Sequence, residues 1–359
     1  MWAGLLLLPW RPWSTRERLV IDPDAASDFD SISVLIPARD EASCIGETLA
    51  RLARQGRFRR VVVIDDQSSD GTGDIARGTG LDNLTVLSGS GPEPGWSGKL
   101  WALRQGLQHC ESPYVLLLDA DIGLEPGVVA SMLKRLELEQ LDMISIMANL
   151  HMRNFWERLL LPPFVYFFKL IYPFALANSE RSFVAAGAGG CVLLRRTALA
   201  EIGGFDSLRE AIIDDCTLAK KIKQRPGRIW IGLSNDARAL RPYGTLTNIW
   251  NMVARTAYTQ LHYSPIWLAV CTVLLVLGYI VPIVALFSGV PAAVVLAVIA
   301  LAAMFASYAP TIRFYGLGPG WIATLPLAAT LFLAMTWTSA VRYTRGERSR
   351  WKNRSYGTA

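Results

Sequence analysis

The stretch "VLLLDADIG", residues 115–123, places two carboxylates, Asp119 and Asp121, one residue apart after four apolar residues. Residues 115–118 read as a strand buried on both faces. At an extended strand end, residues i and i+2 point the same way. Two carboxylates on one side repel unless something cationic joins them. A hard divalent ion, Mg2+ or Mn2+, accepts a few carboxylates together with phosphate oxygens. Asp119 and Asp121 are therefore the candidate metal ligands of a metal–diphosphate site. The plainer reading is a solvated loop, where D-x-D is frequent, but the buried strand before it favours the metal.

Other acids and bases stand at similar places. "IDD" puts Asp65 and Asp66 at the end of a second apolar run, where one Asp could accept from a base N–H or a ribose hydroxyl. Helix capping is the competing role, and Ser68, Ser69 or Asp70 could supply it. "PARDE" sets Pro37, Ala38, Arg39 and Glu41 at the end of the first run. Arg39 could meet phosphate there, or form a surface salt bridge. "GWSGKLWA", 95–102, is a glycine-flanked turn opening a helix, and Lys99 could bind phosphate at its N-terminus. It lacks the Walker A spacing. "AIIDDCTLAKKI", 211–222, opens an amphipathic helix with Asp214 and Asp215. One Asp suffices as a cap favoured by the helix dipole. The second invites a general base that takes a proton from an acceptor hydroxyl. "AAGAGGCVLLRR", 185–196, is small and glycine-rich, which allows close approach of a ligand or simply a tight turn into a strand.

These residues need a frame. Strands over 32–36, 61–64, 86–87 and up to Asp119 alternate with helices over about 42–55 and 99–108. Continuous apolar strands between helices predict a parallel sheet covered on both faces, with ligands at the carboxyl ends of the strands. Three uncharged stretches, about 265–287, 292–309 and 321–341, are each long enough to cross ~30 Å of hydrocarbon. Trp267, Tyr308, Trp321 and Trp337 suit interfacial positions. Residues 154–178 are aromatic-rich but interrupted by Pro162, Pro163 and Pro173, with Arg158 and Lys169 inside. They read as one or two helices in the membrane interface, or as a buried core helix. "MWAGLLLLPWRPW" is too short to span and reads as an interfacial anchor or the remnant of a longer helix. The expected organisation is an N-terminal anchor at 1–30, an α/β domain at 31–250, a membrane domain at 251–341 and a basic tail at 342–359.

The chain has 359 residues, is 52% hydrophobic and carries a net charge of +6. Residues 342–354 hold six Lys/Arg against one Glu, which suits an anionic membrane surface. No aromatic-interleaved basic groove or nucleic-acid motif is present, so nucleic acid is not an expected partner. Five scattered cysteines have neither disulfide-framework nor zinc spacing and fit a reducing compartment, which places the polar domain in the cytosol. Three spans would then put the tail outside, whereas the positive-inside tendency wants it inside.

Taken together, "VLIPARDEA", "VVVIDDQSSDGT", "LLLDAD" and "IDDCTLAKKI" resemble the family-2 glycosyltransferases of GT-A fold, which use nucleotide sugars. "GWSGKLWA", "PPFVYFFKLIYPFALAN", "AAGAGGCVLLRR" and "MVARTAYTQLHYSP" resemble, within that superfamily, the hopene-associated glycosyltransferases of bacterial hopanoid pathways. The resemblance implies that Pro37, Ala38, Arg39, Glu41, Asp65 and Asp66 line the nucleotide pocket. It puts Lys99 by the diphosphate, and Asp119 and Asp121 on a divalent metal. Asp215 matches the second acid of the family's E-D pair, the usual base, and Asp214 replaces the Glu. The processive members' Q-x-x-R-W corresponds to "MVART", with Arg255 kept but Met252 and Thr256 in place of Gln and Trp, which counts against polymer extension. "WKNRSY", 351–356, looks like the W-K-G-R-x-Y tail of lipid-modifying members. The implied activity is inverting transfer from a nucleotide sugar, UDP-linked by expectation, to a lipid acceptor, a hopanoid, at the inner membrane. A polyprenyl-phosphate or ceramide-type acceptor, or a catalytically dead membrane scaffold, are the alternatives.

Overall fold

In the computed structural model, residues 1–22, 28–351 and 354–357 are described. In chain order the elements are α1 (Trp2–Leu7), β1 (Asp28–Ala38), α2 (Ile45–Ala53), β2 (Arg57–Asp65), α3 (Thr72–Gly78) and β3 (Leu84–Ser88). Then follow α4 (Gly98–Leu107), β4 (Tyr114–Leu118), β5 (Ile122–Leu124), α5 (Val128–Leu138), β6 (Met143–Asn149), α6 (Phe155–Ile171) and α7 (Phe174–Ala177). Next come β7 (Cys191–Arg195), α8 (Arg196–Glu201), a 3-10 turn (Gly204–Leu208), α9 (Asp214–Lys223), β8 (Ile229–Ala239) and α10 (Leu246–Gln260). The chain divides into two compact units. One comprises Glu17–His151 and Leu176–Pro242, the other Met1–Arg16, Met152–Ala175 and Tyr243–Ala359.

In the first unit, eight strands form one sheet in the order β3-β2-β1-β4-β7-β6-β8-β5. β1 runs parallel to β2 and β4, β2 to β3, and β6 to β8. β7 is antiparallel to β4 and β6, and β5 to β8. The parallel half is the part built of strand–helix alternation. Its strands alternate their side chains between two cores, as the period of two requires. Leu116 and Leu118 face one, with Ile45, Leu49 and Met132. Val115 and Leu117 face the other, with Leu100, Leu103 and Leu218. All five residues of β4 are buried, so trimming Leu116 to Ala should cost ~2–5 kcal/mol.

Among the described residues, the helical unit holds three helices long and apolar enough to cross a bilayer, Pro265–Ala285, Pro291–Phe314 and Pro319–Thr344. The first contains a π-helical turn, Val276–Ile280, just before Pro282. Proline has no N–H, so the carbonyl four residues back loses its usual donor. That carbonyl belongs to Gly278, and the Trp2 indole N–H donates to it at 2.8 Å. A Cβ at Gly278 would lie 2.2 Å from the Met1 side chain, so glycine permits the close approach of α1. Trp267 and Trp337 are exposed, whereas Tyr308, expected at an interface, is fully buried against Tyr166.

Pro162 and Pro163 do not interrupt the chain between 154 and 178. α6 runs through both and ends at Ile171, before Pro173. A capping box starts it, with the Asn154 side chain accepting from the Glu157 N–H and Glu157 accepting from the Asn154 N–H. Both prolines are buried in its packed face, and that packing offsets the missing N–H groups. The short pair β9 (Glu347–Trp351) and β10 (Arg354–Gly357) lies in the basic tail. Lys352 and Asn353 of "WKNRSY" lie outside the described residues, as do residues 23–27.

Candidate active site

The site begins at the carboxyl end of β4, entirely within the sheet unit. Asp119 follows the strand directly, and its N–H donates to the Gly190 carbonyl at 3.0 Å. Residues 119–121 turn rather than extend. The Ile122 N–H donates to the Asp119 carbonyl at 3.1 Å, and the Leu240 N–H to the Asp121 carbonyl at 2.8 Å. From α2 the Thr48 hydroxyl donates to the Ala120 carbonyl at 2.8 Å. The expected extended D-x-D is therefore a pinned turn, and its two carboxylates meet different cations. Asp119 lies 2.7 Å from Lys99 Nζ. Asp121 lies 3.5 Å from Arg241 Nε.

Lys99 stands in the first turn of α4, where Ser97 caps the helix by accepting from the Leu100 N–H. Its ammonium also lies 3.8 Å from Asp214, so this one cation joins Asp119 to Asp214. Burial works against the Lys99 charge, but Asp119 and Asp214 outweigh it and hold its pKa above the ordinary range. Beside it, Asp215 accepts the Gly189 N–H on Oδ2 at 2.8 Å and the Cys216 N–H on Oδ1 at 2.7 Å. Burial, then the neighbouring Asp214, push the Asp215 carboxyl up to about 6, against the opposite pull of Lys99 and the two N–H groups.

The glycine run explains its own composition. A Cβ on Gly187 would lie 2.6 Å from the Asp215 backbone carbonyl oxygen. One on Gly189 would lie 3.1 Å from Lys99 Nζ. Ser145 of β6 holds the run by donating to the Ala188 carbonyl at 3.0 Å and accepting its N–H at 2.7 Å. Pro37, Lys99, Asp119, Gly189, Asp214 and Asp215 line one cleft together with apolar side chains of α4, β4 and α9.

The remaining expected residues divide between two neighbouring groups and the other unit. Ala38 is buried and pairs with Asp65 across β1 and β2. Arg39 donates to the Asp66 carbonyl at 2.5 Å and lies 3.9 Å from the Asp66 carboxylate, which is buried. Arg39 thus ties two strand ends together. Asp65 Oδ1 accepts the Ser68 N–H at 3.0 Å. The next helix is capped by Gly71, with Asp70 accepting the Thr72 N–H, so neither Ser69 nor Asp70 is the cap residue. Glu41 is buried and ion-pairs with Arg241, the same guanidinium that meets Asp121. Arg255 belongs to the helical unit, and its Nε is buried with no hydrogen-bond partner among the described residues.

Sequence reading missed Arg241, which follows β8 in "ALRPYG" and carries no motif of its own. The signal available was an Arg two residues past the end of a strand of the same sheet. Among the described residues no group of three or more His, Cys, Asp or Glu side chains is arranged to hold a metal ion. The oxygen chemistry of Asp119 and Asp121 still fits Mg2+ or Mn2+, which commonly takes one or two carboxylates and completes its shell with substrate phosphates and water.

Residues 33–203 match the family described as Glycosyl transferase family 2. A glycosyltransferase from Haloferax volcanii, AglJ, is 35% identical over 105 residues, covering 29% of this chain and 32% of that protein. A 4,4'-diaponeurosporenoate glycosyltransferase from Staphylococcus haemolyticus is 35% identical over 94 residues, covering 26% of this chain and 25% of that protein. The matched stretch thus spans about a third or less of these relatives. The mannosyltransferase PcManGT from Pyrobaculum calidifontis, solved in complex with GDP-Man and Mn2+, superposes with a TM-score of 0.56 at 21% identity over 95% of each chain. The fold is the GT-A glycosyltransferase fold, and residues 33–203 are the stretch of it that is similar to family 2.

Proposed function

We propose that this chain, with its stretch similar to family 2 on a GT-A fold, is a membrane-bound inverting glycosyltransferase that moves a sugar from a nucleotide sugar to a lipid hydroxyl. The observation that carries the reading is the meeting of Lys99, Asp119, Asp214 and Asp215, from three separated stretches of chain, in the lining of one cleft. The three long apolar helices support a lipid acceptor at a membrane. The resemblance to hopene-associated transferases points to a hopanoid. We propose Mg2+ or Mn2+ as cofactor and a cytoplasmic face of the inner membrane for the catalytic unit.

Asp215 is the proposed base. Its two oxygens each accept one backbone N–H, which orients the carboxylate. A carboxyl raised to about 6 is ionised at neutral pH yet more basic than an ordinary aspartate. It takes the proton of the acceptor hydroxyl while that oxygen bonds to the sugar C1. The C1–oxygen bond to the diphosphate breaks on the opposite face, and the nucleoside diphosphate leaves with the electron pair. One displacement inverts the anomeric centre. Lys99 lies where a positive charge can meet the developing negative charge of the leaving group. A divalent ion on Asp119 and Asp121 would add charge neutralisation of the same diphosphate. Pro37, Ala38, Arg39, Glu41, Asp65 and Asp66 are proposed to bind the nucleotide sugar, Arg39 and Asp66 by way of the strand-end link they form.

The test is Asp215→Asn, assayed for transfer and for nucleotide-sugar binding on the same preparation. We expect transfer to be abolished while binding persists; loss of binding contradicts the base assignment. Organic extraction after incubation with labelled nucleotide sugars, and lipid profiling of a deletion strain, separate hopanoid from polyprenyl-phosphate and ceramide-type acceptors.

A further inference from the structure

Helix α9 is fastened to one stretch of chain at both of its ends. At its start, Asp215 accepts the Gly189 N–H, and Gly187 packs on the Asp215 carbonyl oxygen too closely for any side chain. At its end, the Lys223 ammonium donates to three backbone carbonyls, of Leu176 at 3.2 Å, Ala177 at 2.6 Å and Val184 at 2.7 Å. These carbonyls bracket the loop 176–184, which leads straight into the glycine run 185–190. α9 has 10 residues and is therefore about 15 Å long. The two fastenings lie at opposite ends of a rigid rod.

The three carbonyls converge on one cation, although that of Leu176, at the end of α7, also accepts the Ser179 N–H at 3.1 Å. Removing the ammonium leaves part of that set unsatisfied in a partly buried place. Burial pulls the Lys223 ammonium down, to about 8. A second tie acts on the same loop. Asn178 accepts the Ile231 N–H at 2.7 Å and donates to the Ile231 carbonyl at 2.9 Å, as a neighbouring strand would.

We propose that Lys223 is a positioning residue for the base: by clamping the loop 176–184 to the far end of α9, it holds the 185–190 backbone at the distance from which Gly189 orients Asp215. The proposal rests on the reading of Asp215 as the base, and its main readout needs no turnover. Hydrogen exchange of the 185–190 amides is measured in the full chain in detergent, for wild type, Lys223→Met and Lys223→Arg. Donor affinity and kcat are measured on the same samples.

Lys223→Met should speed exchange at 185–190, lower kcat about 10- to 100-fold, as small misplacements of catalytic groups do, and leave the donor Kd within about twofold. Lys223→Arg, which keeps a charged donor, should restore exchange toward wild type. Unchanged exchange in Lys223→Met overturns the proposal, as does kcat at wild-type level or an Arg variant no better than Met. Should Lys223→Met not accumulate, Lys223→Gln replaces it, with the same direction expected and wild-type exchange as the contrary result. Faster exchange in an enzyme found to have no transferase activity would leave the clamp standing and sink only the proposed reaction.

Discussion

Both units bury charge, and they hold it in different ways. In the helical unit, Glu157 and Lys169 on α6 are almost wholly buried. Each is pinned by backbone groups. Glu157 accepts the N–H groups of Arg153, Asn154 and Gly244 at 2.9, 3.2 and 3.0 Å. Lys169 donates to the Ser14 carbonyl and lies over the Phe174 ring. In the sheet unit, Lys99, Asp119 and Asp214 are held by each other's charge and stay a fifth to a third exposed. A charge satisfied by fixed backbone is bound up with the fold. A charge satisfied by movable opposite charge at a cleft can trade partners with an incoming diphosphate. By this contrast Lys99 reads as functional and Lys169 as structural, although both are lysines bonded to oxygen.

The contrast can be broken most directly at Lys99. Lys99→Met should lower kcat/KM by ~10²–10³, the usual cost of losing a donor to developing charge, with little change in melting temperature. A large fall in stability and no specific kinetic loss would place Lys99 with Lys169. Next in size, Asp121→Ala should weaken nucleotide-sugar binding by about 10- to 100-fold in the presence of Mn2+, in keeping with loss of a ligand's support to a metal site. Calorimetry that finds unchanged affinity with Mn2+ contradicts the metal assignment.

The pH profile sharpens the same comparison. Asp215 works deprotonated and its carboxyl sits raised, at about 6. Activity should therefore be full near pH 7.5, halve near pH 6 and fall roughly tenfold per unit below pH 6. A profile flat down to pH 5 would exclude this carboxyl as the base. Smallest in kinetic effect, Glu157→Ala should leave kcat nearly untouched but remove three backbone partners from a buried carboxylate site. Its cost of ~1–3 kcal/mol per stranded group should appear as a lowered melting temperature in detergent. An unchanged melting temperature with lost activity would reverse the assignment of roles.

The parallel half of the sheet was legible because β1, β2 and β4 are continuous apolar runs ending in charged or turn-forming residues. β5, β6 and β8 were not read. β5 has three residues, too few to carry a period, and β6 is separated from its antiparallel partner β7 by α6. The prolines of α6 misled because local propensity speaks against a helix there, and only tertiary packing overrides it. At the site, residue type and position marked Lys99, Asp119, Asp214 and Asp215. Spacing could not tell that Lys99 joins Asp119 to Asp214, since that needs three segments brought together. Nor did it predict that the D-x-D turns, giving Asp119 to Lys99 and Asp121 to Arg241. Repulsion between two acids was the right problem; two basic side chains, each from a distant element, meet it in the protein alone.

One measurement bears on the central claim, that this charge cluster serves sugar transfer to a lipid. Purified protein in lipid vesicles is incubated with labelled nucleotide sugars and Mn2+, and the organic extract is counted. Label should enter the organic phase with wild type and be absent with Asp215→Asn at equal donor occupancy. Label confined to the aqueous phase with every donor, or equal organic label from both proteins, would contradict the account.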